Sequence, residues 1–310
     1  MSSLPRFKHC YLHIGLDKTG TTSVQRAFAR EAALLESNCD LHFPHIFPDR
    51  VHFDGNHSPY LRALFCEFPR ARRRLAARGL TSEEEIAHYN RTTLKALHAG
   101  FTATSATRLL LSAEVVTHFQ QEDLESLKLW CQELAENITV IACIRHPVHA
   151  LASEMQQRLR IGAKLENLNT HPPHHRLREK FTQLENIFGR SSVLAYSFHR
   201  ATEHPSGLAA ALLAELAIEQ DSLFERERAS NTSMSAEAAR QLSAYNEQLP
   251  AFIEGRANPA RCAQEVRRLA AIPGETFCAS AEASQRVAEL AASDIAWMED
   301  RYSIDLRYRT

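Results

Sequence analysis

The chain has 310 residues, 44% of them hydrophobic and 24% charged, with a formal net charge of −1. That is enough chain for a sizeable core, and the near-neutral balance offers nucleic acid or an anionic membrane no global attraction. No stretch reaches the length of a membrane span and the start lacks the apolar run of a secretory signal, so we expect a cytoplasmic protein with no nucleic-acid partner and no membrane span. The seven cysteines (10, 39, 66, 131, 143, 262 and 278) are scattered and contain no C-x-x-C pair. They read as reduced, buried thiols rather than a disulfide framework.

The first predicted element is a short apolar strand, Tyr11 to Ile14. A tight turn follows from Gly15 to Gly20, and Val24, Ala27 and Phe28 then recur at helical spacing, so a helix opens near Thr21 or Thr22 and runs to about Ser37. A strand, a glycine-bearing turn and a helix N-terminus together make an anion site, because free N–H groups and the helix dipole point at one place. Lys18 adds a full charge, and Thr19, Thr21, Thr22 and Ser23 add hydroxyls. The spacing Gly15 to Gly20 matches the nucleotide P-loop, but Thr21 stands where that pattern has its lysine. The expected ligand is a phosphate, a sulfate or both. A plain strand-to-helix turn with a solvated lysine is the competing reading.

Residues 38 to 56 are rich in turn formers and too polar for a strand interior. His57-Ser58-Pro59 opens a helical segment with Leu61, Leu64, Phe65 and Phe68 on one face. Arg70 to Arg78 is a basic run that reads as a solvated helix face, and Thr81-Ser82-Glu83-Glu84-Glu85 starts a helix to about Ala99. Arg108 to Leu111 is a short strand with Ser112 and Glu114 at its exit, followed by a helix near 121 to 136. Ile138 to Ile144 is continuous, apolar and β-branched, the pattern of a parallel strand buried on both faces. It ends in Arg145-His146-Pro147, where proline suits the first turn of a helix to about Arg160. Arg158 to Arg178 reads as a basic exposed loop. Its His171 to His175 segment has no carboxylate or cysteine at ligand spacing, so no metal is expected. A helix near 177 to 188, a strand Ser192 to Tyr196, a polar break Asn231 to Ser235, and helices near 236 to 252, 260 to 270 and 281 to 299 complete the chain.

Strands alternate with helices through Tyr196, which predicts an α/β fold: a parallel sheet covered by helices on both faces, with a helical C-terminal part. With no clear linker, residues 1–310 read as one domain, an α/β core over about 8–235 and a helical extension over 236–310. In such sheets ligands bind beyond the carboxyl ends of the strands. Lys18 with its threonines, Ser112 with Glu114, and Arg145 all stand at predicted strand ends, and Ser153 lies eight residues after Arg145. An arginine and a serine near one helix start make a second anion site, so a ligand with two separated anionic groups is implied.

Lys18-Thr19-Gly20-Thr21-Thr22 resembles the 5′-phosphosulfate loop of sulfotransferases that use 3′-phosphoadenosine-5′-phosphosulfate (PAPS). Arg145-His146-Pro147 with Ser153 resembles that family's 3′-phosphate motif, Val193 to Tyr196 its later strand with a tyrosine near adenine, and Asn231 to Ser235 an Asn-x-Ser-x-Ser segment of bacterial members. Asp17 departs from the family, where His or Pro is usual. The resemblance covers about the first 235 residues. It implies a P-loop NTPase-like, sulfotransferase-type fold, PAPS as co-substrate without a metal, and a hydroxyl or amine acceptor that is a carbohydrate or small metabolite. Lys18 would be catalytic, with Thr19, Gly20, Thr21, Thr22 and Ser23 around the phosphosulfate, Arg145 and Ser153 on the 3′-phosphate, and Tyr196 by adenine. The base of the family is a His or Glu near the cleft, which puts His57 first, then Glu114 and Asp54. An ATP-dependent small-molecule kinase would need a strand-end carboxylate for its metal, for which Glu114 is the substitute. A non-catalytic nucleotide-binding protein of the same fold is the remaining alternative.

Overall fold

The structure, a computed structural model, describes residues 7–16, 18–45, 54–67, 71, 75–76, 79–218, 223–224, 233–253 and 256–306. Asp17, all five arginines of the 70–78 run, and Asn231 with Thr232 lie outside the described residues. In chain order, β1 (Phe7–His13) leads through the glycine turn to α1 (Thr21–Arg30) and α2 (Ala32–Cys39), then β2 (Leu41–His42), α3 (Ser58–Phe65) and α4 (Glu83–Ala103). β3 (Arg108–Ser112) is followed by a short 3-10 helix, Glu114–His118, by α5 (Gln121–Leu134) and by β4 (Ala135–Ile144). Then come α6 (Pro147–Arg160), α7 (Leu165–Thr170), α8 (Leu177–Phe188), β5 (Val193–Ser197), α9 (Phe198–Glu203) and α10 (Gly207–Glu215). The chain closes with α11 (Ala236–Gln248), the hairpin β6 (Phe252–Ile253) and β7 (Arg256–Ala257), α12 (Ala263–Ala270) and α13 (Ala281–Tyr302).

The fold is α/β. Its main sheet is parallel throughout, in the order β2-β3-β1-β4-β5, so the strand bearing the glycine turn is central. Alternate side chains of each strand go to opposite faces. On one face Tyr11, Leu110, Ile141, Cys143 and Tyr196 pack with Val24 and Phe28 of α1, Leu35 of α2 and Leu212 of α10. On the other, Cys10 meets Cys131 of α5, whose Leu127 and Leu134 are fully buried. This is the α/β arrangement, a parallel sheet covered by helices on both faces, that the alternation of elements predicts, and the C-terminal part is mostly helical.

Contacts divide the chain into two compact units: Met1–Ile144 with Arg178–Glu227, and Arg145–Leu177 with Arg228–Thr310. The first holds the sheet. The second is built on α6, whose Leu151, Met155 and Leu159 pack with Met234, Leu242 and Val287. Among the described residues no helix is long and apolar enough to cross a membrane.

Several local expectations are corrected. The helix expected over 21 to 37 is two helices, broken at Glu31 (φ −98°, ψ 17°). The segment read as too polar for a strand contributes β2, a two-residue edge strand on β3. The basic loop of 158 to 178 contains the six-residue α7, and the β6/β7 hairpin interrupts the helical C-terminal part.

Phe28 is fully buried in the first core, stacked on Phe224 at 5.3 Å and edge-on to Phe43 at 5.6 Å. Phe28→Ala should lower the unfolding free energy in urea by about 3–5 kcal/mol, because the cavity cannot close. Leu129→Ala, at a side chain 63% exposed, should stay within about 0.5 kcal/mol.

Candidate functional site

The central strand ends against neighbours on both sides. The Ile14 N–H donates to the Ile141 carbonyl (3.0 Å) and the Ala113 N–H to the His13 carbonyl (2.8 Å), so the ladder extends past β1 on each edge. From that fixed end the chain must turn sharply into α1. The Thr19 hydroxyl donates to the Leu16 carbonyl (2.6 Å) and lies 3.3 Å from the Thr21 hydroxyl. Thr21 folds back over Gly15 so closely that a Cβ there would collide with it. Gly20 takes φ +75° as the residue before α1, where a Cβ would strike Leu208.

Two consequences follow for an anion. The side chains of Thr19 and Thr21 are 3% and 2% exposed and brace the loop from inside. Ser23 and Val24 both donate their N–H groups to the Gly20 carbonyl. The outward-facing resources are therefore the N–H groups that open α1, which have no carbonyl one turn earlier, the exposed Thr22, the half-buried Ser23, and Lys18. Lys18 is half-buried at the turn and has φ +65°. A left-handed conformation costs a residue with a Cβ about 1–2 kcal/mol, and strain of this kind gathers at functional positions.

Beside the loop lies a buried polar cluster centred on Ser112, the last residue of β3. Its N–H donates to Nδ1 of His57 (3.0 Å), and its carbonyl accepts from the His57 N–H (2.9 Å). Its hydroxyl sits 2.9 Å from Nδ1 of His13 and accepts from Nε2 of Gln25 (3.2 Å). Gln25 belongs to α1, and Gly55 lies so close to the Gln25 carbonyl that no Cβ would fit. Gly55 also has φ +84°, so the position demands glycine twice over.

This geometry corrects the reading of His57 as the base. The ring is fully buried, Nδ1 accepts from the Ser112 N–H, and Nε2 lies 2.9 Å from the Pro44 carbonyl, which it can approach only as a donor. A proton could enter Nδ1 only by breaking the bond to Ser112. Burial pushes the His57 pKa down to about 4, against the smaller opposing effect of its backbone partners. His13, also buried, is pushed down to about 4 by burial alone. Asp54 is exposed and accepts from the Asn56 N–H in its own turn (3.3 Å). Glu114 is half-buried at the start of the 3-10 helix, two residues beyond Ser112, so it leaves the same sheet end as the Lys18 loop.

Tyr196 is 4% exposed within the first core, where burial, reinforced by the adjacent Cys143 thiol, pushes its pKa far up. It is a packing residue and offers no open ring face for adenine. In the second unit, Arg145 is half-buried directly after β4, and His146 caps α6 by accepting the Val148 N–H on Nδ1 (3.3 Å). Ser153 is half-buried on α6. Of the histidine loop, His175 is 9% exposed and lies 3.4 Å from the buried Glu154 carboxylate, not solvated as its prolines suggest. Among the described residues no group of three or more His, Cys, Asp or Glu side chains is arranged to hold a metal.

His13, Gln25 and the hub role of Ser112 escaped the sequence reading. Gln25 carried a usable signal: it falls four residues after Thr21 and three before Phe28, on the face of α1 that is buried.

No family model and no curated protein matches the chain. Among solved structures it is similar to a sulfotransferase from Alicyclobacillus acidocaldarius, at 13% identity and a TM-score of 0.48, covering 96% of each chain. It is similar also to the sulfotransferase domain of the Synechococcus PCC 7002 olefin synthase, at 12% identity and a TM-score of 0.39, covering 93% of this chain and 96% of that one. A third likeness, to the sulfotransferase domain of the curacin biosynthetic pathway, has 12% identity and a TM-score of 0.34, over 94% and 99% of the two chains.

The two buried histidines should make the fold acid-labile. Both have folded pKa values below the unfolded value of 6.5, so the unfolded chain binds their protons first. The stability they contribute is complete above pH 6.5 and is lost as the pH falls through about 4, roughly 3 kcal/mol for each ring. Urea midpoints measured from pH 7.5 to 4 should fall steeply below 6.5. His57→Gln should lower stability at pH 7.5 yet make that pH slope shallower, since one titrating ring is gone.

Proposed function

We propose that the chain is a PAPS-dependent sulfotransferase, moving a sulfuryl group to a hydroxyl or amine of a carbohydrate or small-metabolite acceptor. The observation that carries this reading is Lys18. A lysine is held at positive φ in the turn between the central strand and the first helix, inside a sequence that resembles the phosphosulfate loop. A solvated lysine in a plain turn would gain nothing from that conformation, whereas one aimed at a dianion repays its strain through charge stabilisation.

In this reading the N–H groups at the start of α1, with Thr22 and Ser23, orient the sulfuryl donor, while Thr19 and Thr21 keep the loop's shape. Lys18 neutralises the oxygen that separates from sulfur, where charge grows as the old S–O bond breaks and the acceptor oxygen forms the new one. Glu114 takes the proton released by the acceptor; it replaces His57, whose two ring nitrogens hold backbone partners. Arg145 and Ser153 are assigned to the 3′-phosphate on their spacing in the sequence. Catalysis is then mostly positioning and charge stabilisation, as in phosphoryl transfer.

Lys18→Asn tests the carrying observation. Asn tolerates the left-handed region, so the variant should be as stable as the wild type or more so, by up to about 1 kcal/mol. Sulfuryl transfer from PAPS to a panel of sugar, phenol and amine acceptors should nonetheless drop at least a hundredfold. Calorimetry should show 3′-phosphoadenosine-5′-phosphate binding more tightly than AMP or ATP-Mg²⁺, with that preference lost in Arg145→Ala. A preference for ATP-Mg²⁺ would replace this proposal with the kinase reading.

A further inference from the structure

The second unit contains a cleft of about 490 Å³ that the sulfotransferase reading does not use. Arg160, Arg267 and Ser233 line it together with Val266, Ile272 and Pro273. Arg160 ends α6 and Arg267 stands in the last turn of α12. The cleft is at the opposite end of α6 from Arg145, about 20 Å along the axis for 14 residues.

The charges of this unit are sorted. Arg158 pairs with Glu154 at 2.8 Å and Arg268 with Glu265 at 2.6 Å. Among the described residues Arg160 and Arg267 have no carboxylate partner, and no acidic residue lines the cleft. A cation in the last turn of a helix gains from the carbonyl dipoles, which accounts for either arginine alone. It does not account for two of them lining one cleft without a counter-charge, where each disfavours the other.

The wall is firmly built. Ser235 caps α11 by accepting the Ala238 N–H (3.0 Å) and donates to the Ile272 carbonyl (2.7 Å). The Phe277 N–H donates to the Met234 carbonyl (2.9 Å), and the Met234 N–H donates to Oε1 of Gln156 on α6 (2.9 Å). The backbone carrying Ser233 is therefore tied to both the 272–277 segment and α6. Ser233 itself is exposed and lines the cleft.

We propose that this cleft binds a small phosphomonoester. A phosphate of about −1.5 to −2 charge at neutral pH matches two guanidinium groups, each able to grip it through two parallel N–H bonds. The organic body lies on Val266, Ile272 and Pro273, and the volume suits a molecule of metabolite size. The site does not depend on the function proposed for Lys18.

Phenyl phosphate is the probe, titrated calorimetrically into the full chain carrying Lys18→Asn and Arg145→Ala, so that the other anion sites contribute nothing. Saturable one-to-one binding is expected, at least tenfold tighter than inorganic phosphate, with benzyl alcohol silent. Adding Arg160→Gln or Arg267→Gln should weaken it tenfold or more, and Ser233→Asp should abolish it, while far-UV circular dichroism and the melting midpoint without probe stay unchanged. Absence of saturable binding overturns the proposal, as does binding that survives both arginine replacements. Equal affinity for phenyl phosphate and inorganic phosphate would also overturn it, since the apolar wall would then have no part.

Discussion

Ser112 is the residue on which the candidate site depends. It closes β3, and its backbone and hydroxyl bind His57 from the 54–57 turn, His13 from β1 and Gln25 from α1. With β3 itself, four segments that the sequence separates by up to 99 positions are thereby fixed at one sheet end. Buried polar groups are tolerated only when such partners exist, and the arrangement is cooperative for that reason: removing one member strands the others. It explains why His57 is held inside the protein although it follows the exposed Asp54 in a polar stretch, and why Gly55, packed on the Gln25 carbonyl, must have no side chain.

The Lys18 loop stands on this foundation and is strained in the opposite sense. The cluster satisfies its polar groups and stabilises the fold. The loop takes left-handed conformations at Lys18 and Gly20 and commits the hydroxyls of Thr19 and Thr21 to its own interior. What remains for a ligand is the backbone N–H groups that open α1, beside the half-buried Lys18, a surface that responds to charge and oxygen geometry more than to side-chain shape. Such a surface suits a group whose charge shifts during a reaction, since its donors are already oriented and need no reorganisation.

Much of the fold was legible in the sequence because its strands are long or unambiguous. Ile138 to Ile144 announced a buried parallel strand, and the strand-turn-helix at the start announced the central one. β2 was not legible: two residues show no period, and Leu41 and His42 form a strand only because β3 offers them an edge. The Lys18 loop could be found from composition and spacing, but its left-handed backbone could not. His57, the first candidate for a base, is buried for a physical reason that its sequence does not show. His57 has the sequence context of an exposed helix start, and its burial comes from Phe43, Pro44 and Ser112, contacts that no local pattern encodes. The burial of Tyr196 was equally hidden, since a tyrosine in a strand looks alike whether its face meets a ligand or a helix.

The second unit shows how one helix can divide its charges. Two residues along α6 turn a side chain by about 200°, so Arg158 and Arg160 project to nearly opposite sides. Arg158 reaches back one turn to Glu154, a carboxylate only 8% exposed that also faces His175. That carboxylate is buried between two basic partners, and the pairing ties the 171–177 segment to α6. Arg160 has no such neutralising neighbour and opens instead onto the cleft shared with Arg267. A basic stretch that reads in sequence as one exposed loop is thus two different things: a buried carboxylate, paired with Arg158 and close to His175, that holds a loop to its helix, and a pair of arginines without a carboxylate partner among the described residues, beside an apolar wall.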